Sequence, residues 1–136
     1  MDKKVLVIED DPASLKLMQY ALTQHGYEVL IASNGSDGLN KARTEGPDLV
    51  ILSVMLPGMD GFEVCHRLRT EGDSLPIVML SDKAREADMA TGFKLGANDY
   101  LIKPVSPSTV INVVDSLMVL SPVKVESARL EKYIGY

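Results

Sequence analysis

Short polar and charged side chains follow four apolar runs of this sequence, at the points where the runs stop. The acidic triplet Glu9-Asp10-Asp11 comes after the first run, Ser53 and Ser81-Asp82 come after two later runs, and Lys103 follows the last. Clustered carboxylates make a hard-oxygen site that suits Mg²⁺. A lysine and a hydroxyl nearby would complement a phosphoryl group. The residue types therefore predict a site for a cation and a phosphoryl group, provided that the fold gathers them.

Not all of these residues need belong to such a site. An acid after a strand often only caps the next helix, and we assign that role to Asp11. We do not assign it to Glu9 and Asp10 together, because a lysine is expected opposite them. Ser53 is a weak nucleophile that needs an adjacent base, and the surrounding motif offers no obvious one.

The apolar runs are long enough for buried strands and too short for helices, and they alternate with segments of helical periodicity. This alternation predicts an α/β fold with a five-stranded parallel sheet, helices on both faces and right-handed crossovers. The carboxyl ends of parallel strands share one edge, where ligands bind in open α/β sheets. The predicted strands are Val5–Ile8, Tyr27–Ala32, Leu49–Ser53, Pro76–Leu80 and Asp99–Ile102, and the helices are predicted to begin near Pro12, Ser36, Gly61, Lys83 and Ser106.

Length and composition restrict the possible classes of protein. The 136 residues suit one domain, which we place at 1–120, with 121–136 as a tail, a linker or a short extra helix. The net charge of -5 argues against a general affinity for nucleic acid or anionic membrane. A single cysteine, Cys65, fits a reducing compartment, and no run reaches the roughly 20 residues of a membrane span. We therefore expect a soluble, cytoplasmic protein.

Four segments, VLVIEDD, PDLVILSVMLPGMDGFEV, PIVMLS and GANDYLIKPV, resemble the receiver domain of two-component response regulators in order and spacing, over about Lys4 to Met118. The resemblance implies a flavodoxin-like (βα)5 fold with strand order 2-1-3-4-5. It also implies roles for individual residues: Glu9 and Asp10 as the acidic pair for Mg²⁺, the Met55 carbonyl as a further ligand, Ser81 as the switch hydroxyl, Tyr100 as the switch aromatic, Lys103 as the phosphate-binding lysine and Pro104 in a cis peptide bond.

Two positions depart from the family pattern. Ser53 stands where the family has the aspartate that accepts phosphate from a histidine kinase, and a serine cannot form an acyl phosphate. Its presence also removes one anionic ligand for Mg²⁺. Asp82 follows the switch hydroxyl, where a small residue is usual. An acid there either restores part of the lost negative charge or crowds a phosphoryl group out, and the sequence leaves both open.

From these features we expect a receiver that does not accept phosphate at Ser53, has a weakened Mg²⁺ site and is not an enzyme. It would act through protein contacts, with a sensor histidine kinase or other signalling protein as one partner. A downstream output protein would bind the face made by the fourth helix, fifth strand and fifth helix. A homodimer is open, and no direct contact with nucleic acid or membrane is expected.

Two alternatives remain at this point. The first is an ordinary Mg²⁺-dependent phosphoacceptor receiver in which the acceptor aspartate has been exchanged for Ser53. The second is a flavodoxin-like electron carrier that binds a flavin. Its phosphate would need a loop rich in Ser, Thr and Gly after the first strand, whereas the EDDP sequence here would repel that phosphate.

Overall fold

The computed structural model of the protein describes residues 2–127. Five strands alternate with five helices in these residues, and all the strand pairs are parallel, in the order β2-β1-β3-β4-β5. This confirms the predicted fold. The elements are β1 (Lys4–Ile8), α1 (Pro12–Gln24), β2 (Glu28–Ala32), α2 (Gly35–Thr44), β3 (Leu49–Ser53), α3 (Gly61–Thr70), β4 (Ile77–Ser81), α4 (Glu86–Leu95), β5 (Asp99–Ile102) and α5 (Pro107–Ser127).

The central strands are buried on both faces, which explains why their sequences are continuous apolar runs instead of alternating ones. Successive residues of a strand point to opposite sides of the sheet. Leu6 and Ile8 accordingly belong to one apolar layer, with residues of α2, α3 and α4. Val5 and Val7 belong to the other layer, with residues of α1 and α5. Two apolar layers therefore hold the sheet in place between its helices.

The strand register brings the predicted site to one edge. Ile8 lies beside Leu52, Ser53 lies beside Leu80, and Ser81 lies beside Ile102. The residues that follow β1, β3, β4 and β5 therefore emerge close to one another, as the parallel sheet predicts.

The fourth helix starts later than its sequence suggests. Helical periodicity predicts a start near Lys83, but α4 begins at Glu86 and Lys83 lies in the preceding loop. The backbone N–H of Lys83 donates to Ser81 Oγ, and its carbonyl accepts a hydrogen bond from the Tyr100 hydroxyl. The bond to Ser81 is local, whereas the bond from Tyr100 is tertiary and holds the loop in a conformation that local propensity does not reveal.

The last helix passes the point where the composition changes. It continues to Ser127, whereas residues 128–136 lie outside the described part of the chain. The proposed limit of the receiver at residue 120 remains a prediction. Within residues 2–127, none of the helices is both long and apolar enough to span a membrane.

Candidate functional site

Three side chains from different strand ends meet at the carboxyl edge of the sheet. Ser53 Oγ donates a hydrogen bond to Glu9 Oε1 over 3.1 Å. Lys103 Nζ donates to the same Glu9 oxygen over 2.8 Å and lies 3.3 Å from Ser53 Oγ. Glu9 and Ser53 are almost fully buried, and the Lys103 side chain is 23% exposed. We call these residues the Glu9–Ser53–Lys103 cluster.

The charge of Glu9 is satisfied from within the protein. Burial raises the pKa of its carboxyl, but hydrogen bonds from Lys103 and the backbone N–H of Asp11, with the Lys103 charge, outweigh burial and leave the pKa below its ordinary value. Glu9 is therefore ionised at neutral pH. It forms a largely buried ion pair with Lys103, and such a pair is costly to break from one side.

The two neighbouring acids differ from Glu9. Asp11 caps α1, because its Oδ2 accepts a hydrogen bond from the Ser14 N–H over 3.0 Å, as predicted. Hydrogen bonding to the side chain and backbone of Ser14 lowers the pKa of Asp11. Asp10 is exposed, and it has no hydrogen-bond or ion-pair partner among residues 2–127. Of the triplet, only Asp10 is therefore an uncommitted carboxylate.

This donor set offers Mg²⁺ few free carboxylate oxygens. The described residues contain no group of three or more His, Cys, Asp or Glu side chains placed to hold a metal ion. Both Glu9 oxygens already accept hydrogen bonds, and the residue at position 53 brings a hydroxyl instead of a charge. Met55, whose carbonyl the resemblance names as a ligand, lies in the loop after β3 with its side chain 56% exposed. A cation would have to compete with Lys103 for Glu9.

Ser81 and Tyr100 are joined through the backbone of Lys83. The Lys83 N–H donates to Ser81 Oγ over 2.9 Å, and the Tyr100 hydroxyl donates to the Lys83 carbonyl over 3.0 Å. Tyr100 is buried, with only 5% of its surface exposed. We call Ser81, Lys83 and Tyr100 the relay, because they link the end of β4 to the middle of β5.

Two glycines give the site its close packing. A Cβ on Gly61 would lie 2.2 Å from the Ser53 carbonyl oxygen, so only glycine lets α3 begin this close to the end of β3. A Cβ on Gly92 would lie 2.9 Å from the Tyr100 ring and 3.0 Å from the Met79 sulfur. Gly92 in α4 thus leaves the space into which the Tyr100 ring packs.

The last strand connects the relay to the cluster. The backbone N–H of Lys103 donates to the Ser81 carbonyl over 2.9 Å, and the Lys103–Pro104 peptide bond is cis. Asp82, next to Ser81, is exposed and does not contact the Glu9–Ser53–Lys103 cluster through a hydrogen bond. It lines a side pocket together with Lys103 and Pro104.

The structure therefore brings Glu9, Ser53 and Lys103 into direct contact, and it links Ser81 to Tyr100. Asp10, Met55 and Asp82 lie around the cluster without such contacts. The sequence did not reveal Lys83 as the link, because its role depends on backbone atoms. The glycine inside the helical pattern at position 92 was the available signal for a close approach.

Comparison with known proteins gives consistent matches. Residues 5–115 match the response regulator receiver domain family. The alkaline phosphatase synthesis transcriptional regulatory protein PhoP of Bacillus subtilis (strain 168) is 44% identical over 131 residues, which cover 96% of this chain and 55% of PhoP. Protein PilH of Pseudomonas aeruginosa is 32% identical over 117 residues, or 85% of this chain and 97% of PilH.

A solved structure agrees with these sequence matches. The CheY-like receiver domain protein from Methanospirillum hungatei JF-1 superposes with a TM-score of 0.86 at 26% identity, covering 91% of this chain and 99% of that one. The chain spans about half the length of PhoP, whereas it covers nearly all of PilH. These matches give no support to the flavin-binding electron carrier. The chain belongs to the receiver domain family of two-component response regulators.

Proposed function

We propose that this receiver does not accept a phosphoryl group at residue 53 and signals through protein contacts. The observation that carries the proposal is the Glu9–Ser53–Lys103 cluster, in which the lysine already pairs with Glu9 and with the Ser53 hydroxyl. A serine offers no carboxylate for an acyl phosphate. The positive charge that would meet an incoming phosphoryl group is also compensated within the protein.

The hydrogen bond between Ser53 and Glu9 does not make Ser53 a good nucleophile. Glu9 is positioned as a base for the hydroxyl, but a carboxyl whose pKa lies below its ordinary value is a poor proton acceptor. Its Oε1 atom also accepts from Lys103, which reduces its basicity further. In addition, Ser53 is only 2% exposed. Geometry and proton affinity both support an unreactive hydroxyl.

The Mg²⁺ site that the family generally has is, in this proposal, weakened. Glu9 and Asp10 would hold the cation, with the Met55 carbonyl as a further oxygen. A missing central carboxylate lowers the affinity, because ligand charge largely sets affinity for a hard cation. Titration of Mg²⁺ followed by NMR at the Glu9–Asp11 amides should show tighter binding in Ser53→Asp than in the chain with Ser53. Ser53→Ala is the matched control, since it adds no charge. Equal affinities in Ser53→Asp and Ser53→Ala would contradict the weakened site.

For output we propose the surface formed by α4, β5 and α5. It carries exposed apolar side chains on all three elements, namely Phe93 (47% exposed), Ile102 (39%) and Val119 (73%). The buried Tyr100 lies on the same strand as Ile102, so a conformational change at the relay would alter this surface. A downstream protein or a second copy of the chain would bind there. A sensor kinase or another signalling protein would be the upstream partner.

NMR tests the proposal without any knowledge of the pathway. Addition of acetyl phosphate in the presence of Mg²⁺ should leave the amide resonances of Ser81, Lys83, Tyr100 and Lys103 as they are with Mg²⁺ alone, because a ligand shifts a two-state equilibrium only through different affinities for the two states. Tyr100 should then show one fixed rotamer or unbiased exchange. Large shifts that spread from Ser81 to the α4–β5–α5 face would contradict the proposal.

The alternative of an exchanged acceptor aspartate has its own support. The relay is intact, the Lys103 side chain reaches position 53, and Gly61 still gives α3 its close approach. If only the acceptor was lost, a carboxylate at 53 should restore phosphorylation. The codon for residue 53 in the genomic gene would decide whether the serine is natural.

A further inference from the structure

A pocket of about 370 Å³ opens beside the Glu9–Ser53–Lys103 cluster, between the first half of α1 and the start of α5. Its volume falls in the range of small-molecule sites. Its wall is mainly apolar and includes Leu17, Met18, Val105, Pro107 and Val110. Nothing in the proposed function uses this space, and Ser53 is not among its lining residues.

The polar end of the pocket carries an excess of negative charge. Glu9, Asp82 and Lys103 line it, which gives two acids and one base. Lys103 is already held by Glu9 over 2.8 Å and by Ser53 over 3.3 Å. Asp82 has no hydrogen-bond or ion-pair partner within the described residues. The pocket therefore presents one uncompensated carboxylate next to an apolar wall.

We propose that this pocket binds a small organic cation, with a protonated amine at Asp82 and an aliphatic or aromatic body between Leu17, Val105 and Val110. Charge complementarity selects the cation. An anion would have to draw Lys103 away from Glu9 and would leave Glu9 as a buried charge without its partner, which is costly. This binding does not depend on whether Ser53 accepts phosphate.

A site for a protein helix would be built differently. The outer side of α1 has a more open groove along Ala13, Lys16, Leu17 and Tyr20, with a lysine instead of acids on its rim. Leu17 lines both the pocket and the groove, but the deeper space and the unpaired acid lie on the α5 side. These features favour a small molecule for the inner pocket.

The test uses three probes with the same body and different heads: 4-phenylbutylamine, 4-phenylbutanol and 4-phenylbutyrate. Each is titrated into the full chain at neutral pH and followed by amide NMR. The amine should shift the resonances of Leu17, Asp82, Val105 and Val110, and it should bind about two- to fivefold more tightly than the alcohol, the range expected for one partly exposed charge pair. The carboxylate should bind more weakly than the alcohol.

Variants test whether the Asp82 carboxylate causes the preference for the amine. Asp82→Asn should bring the affinity for the amine down to that for the alcohol. Glu28→Gln is the matched control, because it removes one exposed acid on β2, far from the pocket, and should change nothing. Ser53→Ala should retain amine binding, which separates this proposal from the proposed function.

Several results would overturn the inference. They are failure of all three probes to shift the pocket resonances, equal or tighter binding of the carboxylate, and unchanged amine affinity in Asp82→Asn. Shifts confined to the outer groove at Ala13 and Tyr20 would also overturn it, and would indicate a protein-docking face. Shifts of the pocket resonances with protein concentration alone would do so as well, because a second copy of the chain would then be the occupant.

Discussion

The two halves of the site respond differently to the serine at position 53. In the Glu9–Ser53–Lys103 cluster the side chains pair with one another, so that a lysine and a glutamate neutralise each other. In the relay, the hydrogen bonds run through the backbone of Lys83, and the Tyr100 ring fits against Gly92. We expect that the presence or absence of a carboxylate at position 53 changes the partners of charged side chains. We expect the relay to be unaffected, because its geometry depends on strand register and helix packing.

The largest loss of stability should come from removing the charge of Glu9 in the Glu9–Ser53–Lys103 cluster. Glu9→Gln leaves Lys103 with a weaker partner in a largely buried place, and we expect a loss of about 1–3 kcal/mol in the free energy of unfolding at pH 7. Urea denaturation measures it. The control is Glu63→Gln, whose partner Arg67 lies on the surface of α3 and whose loss should change stability far less.

The same variant predicts a pH dependence with a definite sign. The pKa of Glu9 in the folded chain lies below its ordinary value of 4.5, so its contribution to stability is complete above that value. The contribution is lost as the pH falls through the folded pKa. The difference in free energy of unfolding between the unmutated chain and Glu9→Gln should therefore be constant near neutral pH and shrink below about pH 4.5. A gap that stays constant into the acid range would contradict the assigned ion pair.

The sequence predicts the Glu9–Ser53–Lys103 cluster better than it predicts the relay. The apolar run before Ser53 and its counterparts determine a parallel sheet, and the sheet determines that Glu9, Ser53 and Lys103 share an edge. It does not determine which oxygen Lys103 binds, because that depends on side-chain direction. Nor does it predict that Lys83 lies outside α4, since a local hydrogen bond to Ser81 and a tertiary one from Tyr100 override the helical pattern there.

A smaller effect should follow from cutting the relay. Tyr100→Phe removes the hydrogen bond to the Lys83 carbonyl and leaves a partly buried acceptor unpaired, so we expect a loss of about 0.5–1.5 kcal/mol. Hydrogen exchange at the Lys83 amide should also speed up, because its loop loses the hydrogen bond that ties it to β5. Tyr20→Phe is the control, since that side chain is 66% exposed. Equal stability of the two variants would show that the hydrogen bond from Tyr100 to the Lys83 carbonyl does not stabilise the protein.

The smallest expected change in stability comes from filling the space beside the ring. In Gly92→Ala the new methyl group meets the Tyr100 ring, but alanine favours the helix by about 1 kcal/mol, so the two effects should largely cancel. The Tyr100 ring resonances should nevertheless move. Thr91→Ala on the exposed side of α4 should leave them in place, and a ring that responds equally to both variants would refute the packing argument.

The most direct test of the central claim compares three forms at position 53. The serine form, Ser53→Ala and Ser53→Asp are each incubated with acetyl phosphate and Mg²⁺, and the intact mass is measured. We predict that only Ser53→Asp gains the mass of one phosphoryl group, because the relay hydroxyl and Lys103 would then surround a competent nucleophile. A phosphoryl group on Ser53 of the serine form would contradict the claim that this receiver works without phosphorylation there.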